Sequence, residues 1–162
     1  MRMAEERTYI KALRENLTKK ERLLYNLYDI TKQQQTYLSA EQFEYDIFEE
    51  LMDVKDQMLE ELDALEEGFE TIYERVRETL LSHQAEYAGD IREMQNRIRE
   101  IVSLGAKLRA LEERNRTKLE SILGTRQQEI KKYQQSSQIA NQYYQNMAGG
   151  SLNRLSLLDQ KK

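Results

Sequence analysis

Residues 47–80 read IFEELMDVKDQMLEELDALEEGFETIYERVRETL, and the apolar positions Ile47, Leu51, Val54, Met58, Leu62, Leu65, Phe69, Ile72, Val76 and Leu80 follow one another by steps of three or four. Such steps put all ten on one face of a single long helix. Fours outnumber threes, so the period lies slightly above that of an ideal helix, which favours nearly straight packing over a strict left-handed supercoil. Gly68 lies inside the run and is tolerated at about 1 kcal/mol relative to alanine.

The pattern extends in both directions. Upstream, Ile10, Leu13, Leu17, Leu24, Leu27 and Ile30 form a second stripe. Lys20 interrupts it, with an alkyl stem able to cover apolar surface while its charge reaches water. Between the stripes, Ser39-Ala40-Glu41-Gln42 has the form of a capping box, and Leu38 and Phe43 stand at the positions of a hydrophobic staple. A chain reversal near residues 37–39 follows. Downstream, Gly89 suits a helix end and Asp90 the cap of the next helix. A third stripe runs through Ile91, Met94, Ile98, Ile101, Leu108, Leu111, Leu119, Ile122, Ile130 and Tyr133. Gly105 falls in its seam, where a missing side chain allows close approach of another helix, and Gly124 is a candidate kink leading into a distal arm. Gly149-Gly150 is expected to end the helix.

These signals predict an all-α fold: an elongated antiparallel three-helix bundle with an extended C-terminal arm. Helices are expected over about 4–36, 39–87 and 90–148, forming one domain over 1–148, with a flexible tail over 149–162. The 162 residues include no proline, cysteine or tryptophan and one histidine. With 33% charged and 39% apolar residues, the core must be a narrow seam. Charge is divided unevenly: residues 1–38 carry net +3, residues 39–78 net −12 and residues 79–162 net +5. An acidic middle helix flanked by basic ones would select its neighbours electrostatically.

Composition also excludes functions. A di-iron bundle needs two Glu-x-x-His pairs, which one histidine cannot supply. No glycine-rich phosphate loop and no Ser or Thr beside a plausible base is present, so the chain reads as a non-enzyme without metal or cofactor. The basic residues around Arg92–Lys118 are interleaved with Glu93, Glu100, Glu112 and Glu113, which argues against nucleic-acid binding. The N-terminus has no signal-peptide pattern, and no apolar run approaches the roughly 20 residues of a membrane span. The expected location is the cytoplasm.

A binding site is expected on the distal arm. Ile122, Leu123, Ile130, Tyr133, Ala140, Tyr143, Tyr144 and Met147 are the candidate partner-binding residues. If the first two helices turn back before this point, an apolar face rich in tyrosine and methionine has no partner in its own chain.

Two stretches carry a family resemblance: Leu51-Met52-Asp53-Val54-Lys55-Asp56-Gln57-Met58-Leu59-Glu60-Glu61-Leu62, and Leu111-Glu112-Glu113-Arg114-Asn115-Arg116-Thr117-Lys118-Leu119. With the helix layout over residues 9–135, this resembles the FlgN/FliT class of bacterial flagellar export chaperones. A similar Lys-x-x-x-Leu-x-x-Leu stretch lies on that family's second helix, and an Asn followed four residues later by Leu on its third. The resemblance implies a cytosolic type III export chaperone. It would bind the amphipathic C-terminal helices of hook–filament junction or filament-cap proteins, prevent premature assembly and deliver them to the export gate. It also implies that a distal tyrosine, Tyr133, Tyr143 or Tyr144, docks on an export-gate component. The alternative is a structural coiled-coil scaffold that self-associates through the arm, as a homodimer in place of a monomer.

Overall fold

The computed structural model describes residues 2–124 and 126–159, with side chains over 4–124 and 126–146. Among the described residues all regular structure is helical: α1 (Arg2–Leu38), α2 (Tyr45–Ser82), α3 (Ala88–Leu123) and α4 (Gln127–Asp159). At 33 to 38 residues each, the helices are about 50–57 Å long. No helix among the described residues is long and apolar enough to cross a membrane.

The fold has four helices where three were expected, because Gly124 ends α3 outright. Its φ of 59° is a conformation that side-chain-bearing residues rarely adopt, and its N–H closes on the Glu120 carbonyl at 3.0 Å. The chain then reverses, so the arm is a fourth helix of the bundle. Gly124→Ala is expected to cost about 2 kcal/mol through backbone strain alone, measured by urea unfolding.

Pairings along the helices fix their arrangement. Tyr9 meets Arg75 and Gln34 meets Phe48, so α1 and α2 are antiparallel. Arg14 meets Asp90, Glu21 meets Arg97 and Thr31 meets Asn115, so α1 and α3 are parallel. Glu120 meets Gln134 and Gly105 lies against Tyr144, so α3 and α4 are antiparallel. Glu49 and Asp56 meet Lys132 and Ser136, so α2 and α4 are parallel. Contacts run α1–α2–α4–α3 around the bundle, which leaves α2 and α3 on a diagonal. The acidic helix α2 therefore packs against α1 and α4 and meets α3 across the core.

Several local expectations are revised. Ser39 does not open α2. Its hydroxyl donates back to the Gln35 carbonyl at 3.1 Å, a bond that competes with capping. The N-cap of α2 is Glu44, with no side-chain cap bond. Leu38 and Phe43 do join one apolar cluster, which closes that end of the bundle around Phe48. Asp90 lies in the first turn of α3 and pairs with Arg14 at 3.0 Å, while Tyr87 takes the N-cap position. Helix α2 runs unbroken through Gly68. Helix α4 continues past Gly149-Gly150 to Asp159, so residues 149–159 are helical where a flexible tail was expected; side chains from residue 147 on lie outside the described residues.

Helix α1 buries Ile10, Leu13, Leu17, Leu24 and Leu27 as its stripe predicts. Lys20 differs: it is 2% exposed, donates to Glu66 Oε2 at 2.6 Å and stands 4.4 Å from the centre of the Phe69 ring. Its ammonium does not reach water. Burial lowers its pKa, and Glu66 opposes part of that shift. In the first half of α2 the buried face is Phe48, Met52, Lys55 and Leu59, one residue beyond the stripe read from Ile47, Leu51, Val54 and Met58; Val54 is 42% exposed.

Candidate functional site

Two apolar clusters fill the bundle. The longer one runs from Ile10 to Leu27 on α1, with Leu59 to Leu80, Tyr87 to Leu108, Ala140 and Tyr144. The shorter one closes the end where α1 meets α2 and α3 meets α4. There Phe48 stands 5.8 Å from Phe43, 6.4 Å from Tyr45 and 5.3 Å from Tyr133, ring centre to ring centre.

Between the clusters lies a buried polar layer to which every helix contributes. Lys55 of α2 donates to Gln34 Oε1 of α1 at 2.9 Å and to Glu112 Oε1 of α3. Tyr133 of α4 donates to the other carboxylate oxygen, Glu112 Oε2, at 2.8 Å. Asn115 donates to the Thr31 carbonyl at 3.1 Å, an oxygen whose two lone pairs let it accept a second bond beside a helix bond. Lys55, Glu112, Asn115 and Gln34 are all 3% exposed or less. Burial and the Glu112 charge drive the Tyr133 phenol far above the usual tyrosine range. The Tyr144 phenol is pushed up for the same reasons and has no hydrogen-bond partner among the described residues. A satisfied layer of this kind fixes helix register, because sliding any helix by one turn breaks several bonds at once.

The residues of the family resemblance fall here. Lys55, Leu59 and Leu62 are buried on α2, and Asn115 and Leu119 on α3. Their work in this fold is internal packing.

The outer side of the α2–α4 pair is different. A cleft of about 400 Å³ opens between the two helices, with Met52, Leu59, Ile139 and Tyr143 as its apolar lining. Ile139 is 52% exposed, and a second depression shares it and Tyr143 and reaches Asn146. Two straps hold the helices beneath the opening: Lys132 pairs with Glu49, and Ser136 donates to Asp56 Oδ1 at 2.8 Å.

The expected partner-binding residues are divided by this geometry. Leu123, Tyr133, Ala140 and Tyr144 are buried in the chain's own core. The arm's apolar face is therefore covered by α2 and α3, since reversal at Gly124 brings it back onto them. Ile130 is half-buried against the end cluster and Ile122 is 37% exposed on α3. Tyr143 lines the cleft, and the side chain of Met147 lies outside the described residues. Of the three tyrosines considered for export-gate docking, Tyr143 alone reaches the surface. Ile139, an apolar residue off the stripe, was missed, and the acidic character of α2 was read without its place beside this cleft. In comparisons with protein families, with curated proteins and with solved structures, the chain has no match.

Proposed function

We propose that this chain is a cytosolic export chaperone of the FlgN/FliT type. It would hold an amphipathic C-terminal helix of a hook–filament junction or filament-cap protein before that protein leaves the cell. The reading assigns no catalysis and no cofactor to the chain. One observation carries the binding half of it: the open cleft between α2 and α4, with Ile139 half-exposed and Tyr143 partly buried in its wall. A half-exposed apolar helix face beside an elongated groove is the geometry that accepts a partner helix. The family resemblance supplies the class of partner. Release at the membrane requires moderate affinity, which suits a shallow cleft better than a closed pocket.

A scaffold would have to self-associate through another surface than the arm face first considered, because Tyr133, Ala140 and Tyr144 are buried within one chain. Mixing the purified chain with junction and cap proteins from the same cell, read by size-exclusion chromatography with light scattering, separates the two. A heterocomplex from a monomeric chain supports the chaperone. A concentration-dependent homodimer that takes up neither protein supports the scaffold. Ile139→Ser is expected to weaken the heterocomplex about tenfold while leaving helicity unchanged, since losing a mostly buried aliphatic contact costs roughly 1.5 kcal/mol or more.

A further inference from the structure

Asp53, Asp56, Glu60, Asp63 and Glu67 follow one another by three or four residues and are all exposed, so they form one row along α2. Asp56 and Glu60 line the cleft, so the row passes along its α2 side and continues beyond it through Asp53 at one end and Asp63 and Glu67 at the other. Among the described residues no ion pair neutralises the row. Lys132, beside Asp53, is already paired with Glu49, and Asp56 has only the Ser136 hydroxyl. Glu60, Asp63 and Glu67 have no ion pair among the described residues. Like charges three and four apart on a helix repel, so the fold carries the row at a cost. The opposite rim on α4 carries one charge, Lys132, which Glu49 already holds; its other polar residues, among them Gln135, Gln142 and Asn146, are neutral. The apolar lining lies between.

We propose that the cleft takes a partner helix with an apolar face flanked on one edge by lysine or arginine. The apolar face would lie on Ile139 and Tyr143, and the basic edge along the α2 row. The inference rests on the helix-binding reading above and adds its charge rule. From Asp53 to Glu67 the row spans about 21 Å, so it faces three or four basic residues spaced by one turn. Each rim pair is weak by itself, yet a row sets orientation and rejects helices of the wrong sign.

The test uses the full chain and two synthetic helical peptides of about 18 residues, five turns. They share an apolar face and carry either lysine or glutamate along one edge. Binding is read by fluorescence anisotropy at low and high salt. The lysine peptide is expected to bind about tenfold tighter, with the difference shrinking in high salt. Combining Glu60→Lys, Asp63→Lys and Glu67→Lys is expected to reverse the preference without loss of helicity, since all three sites are exposed. Equal affinities, or a preference untouched by the triple variant, would overturn the charge rule. Failure of both peptides to bind would overturn the cleft as a helix site. If the lysine peptide binds as expected while junction and cap proteins do not, the charge rule stands and the flagellar reading falls.

Discussion

Glu112→Ala is expected to lower the unfolding free energy by about 3–5 kcal/mol, because it leaves the Lys55 ammonium buried without its counter-charge. Both carboxylate oxygens are in use: Oε1 accepts from Lys55 and Oε2 from the Tyr133 hydroxyl at 2.8 Å. Lys55 and Glu112 are 3% and 1% exposed, so water does not replace what the substitution removes. Lys55→Ala is expected to cost a similar amount from the other side. The pair need not be stabilising in net terms, since desolvating two ions offsets most of their attraction. Replacing both partners with apolar residues, Lys55→Met with Glu112→Leu and Tyr133→Phe, is therefore expected to recover most of the loss. Urea unfolding followed by circular dichroism decides it. Single substitutions costing under about 1 kcal/mol would mean that the layer is hydrated and does not hold the helices in register.

Alkaline titration is expected to unfold the bundle steeply above pH 10. Burial raises the pKa of Tyr133 and Tyr144 in the folded chain, from 10.0 when unfolded. The folded state thus keeps protons that the unfolded state gives up. Stability from these two phenols is fully present below pH 10 and falls as pH rises toward their folded values. The slope is about 1.4 kcal/mol per pH unit for each phenol, or near 3 for the pair. Lys20 acts oppositely. Its lowered folded pKa means that stability rises with pH until the unfolded value of 10.5 and is flat beyond it. Readings above pH 10.5 therefore remove the Lys20 contribution, and leave the two phenols together with Tyr25, Tyr45 and Lys132, whose folded pKa values are also raised and act in the same direction. Tyr133→Phe should lower the slope there by about 1.4 kcal/mol per pH unit, whereas stability level to pH 12 in the unmodified chain would show the two phenols to be hydrated.

The parts of the fold legible in the sequence were those where apolar residues mark the buried face. The α1 stripe and the second half of α2 read correctly at Leu13, Leu17, Leu24, Leu62, Phe69 and Val76, where an apolar residue fills the core position; Lys20, buried in the α1 seam, is the exception. The first half of α2 was misread by one residue. Its true face contains Lys55, and a search for apolar periodicity steps around a lysine onto Val54. Glu112 and Asn115 were hidden in the same way on α3: polar residues in a core are visible only once their partners from other helices are in place. Gly124 was legible as a weak point, but a helical kink and a full reversal differ only in backbone dihedral angles. That ambiguity turned a fourth bundle helix into a free arm, and with it set the expected binding residues Leu123, Tyr133, Ala140 and Tyr144 on positions that the core occupies.

Hydrogen exchange of the full chain tests the cleft most directly, read by mass spectrometry with and without a saturating junction- or cap-protein C-terminal peptide. Protection is predicted to rise over residues 53–67 of α2 and 132–146 of α4, with α1 and the outer face of α3 unchanged. Protection confined to α1 and α3, or no change on binding anywhere in the α2–α4 pair, would contradict it.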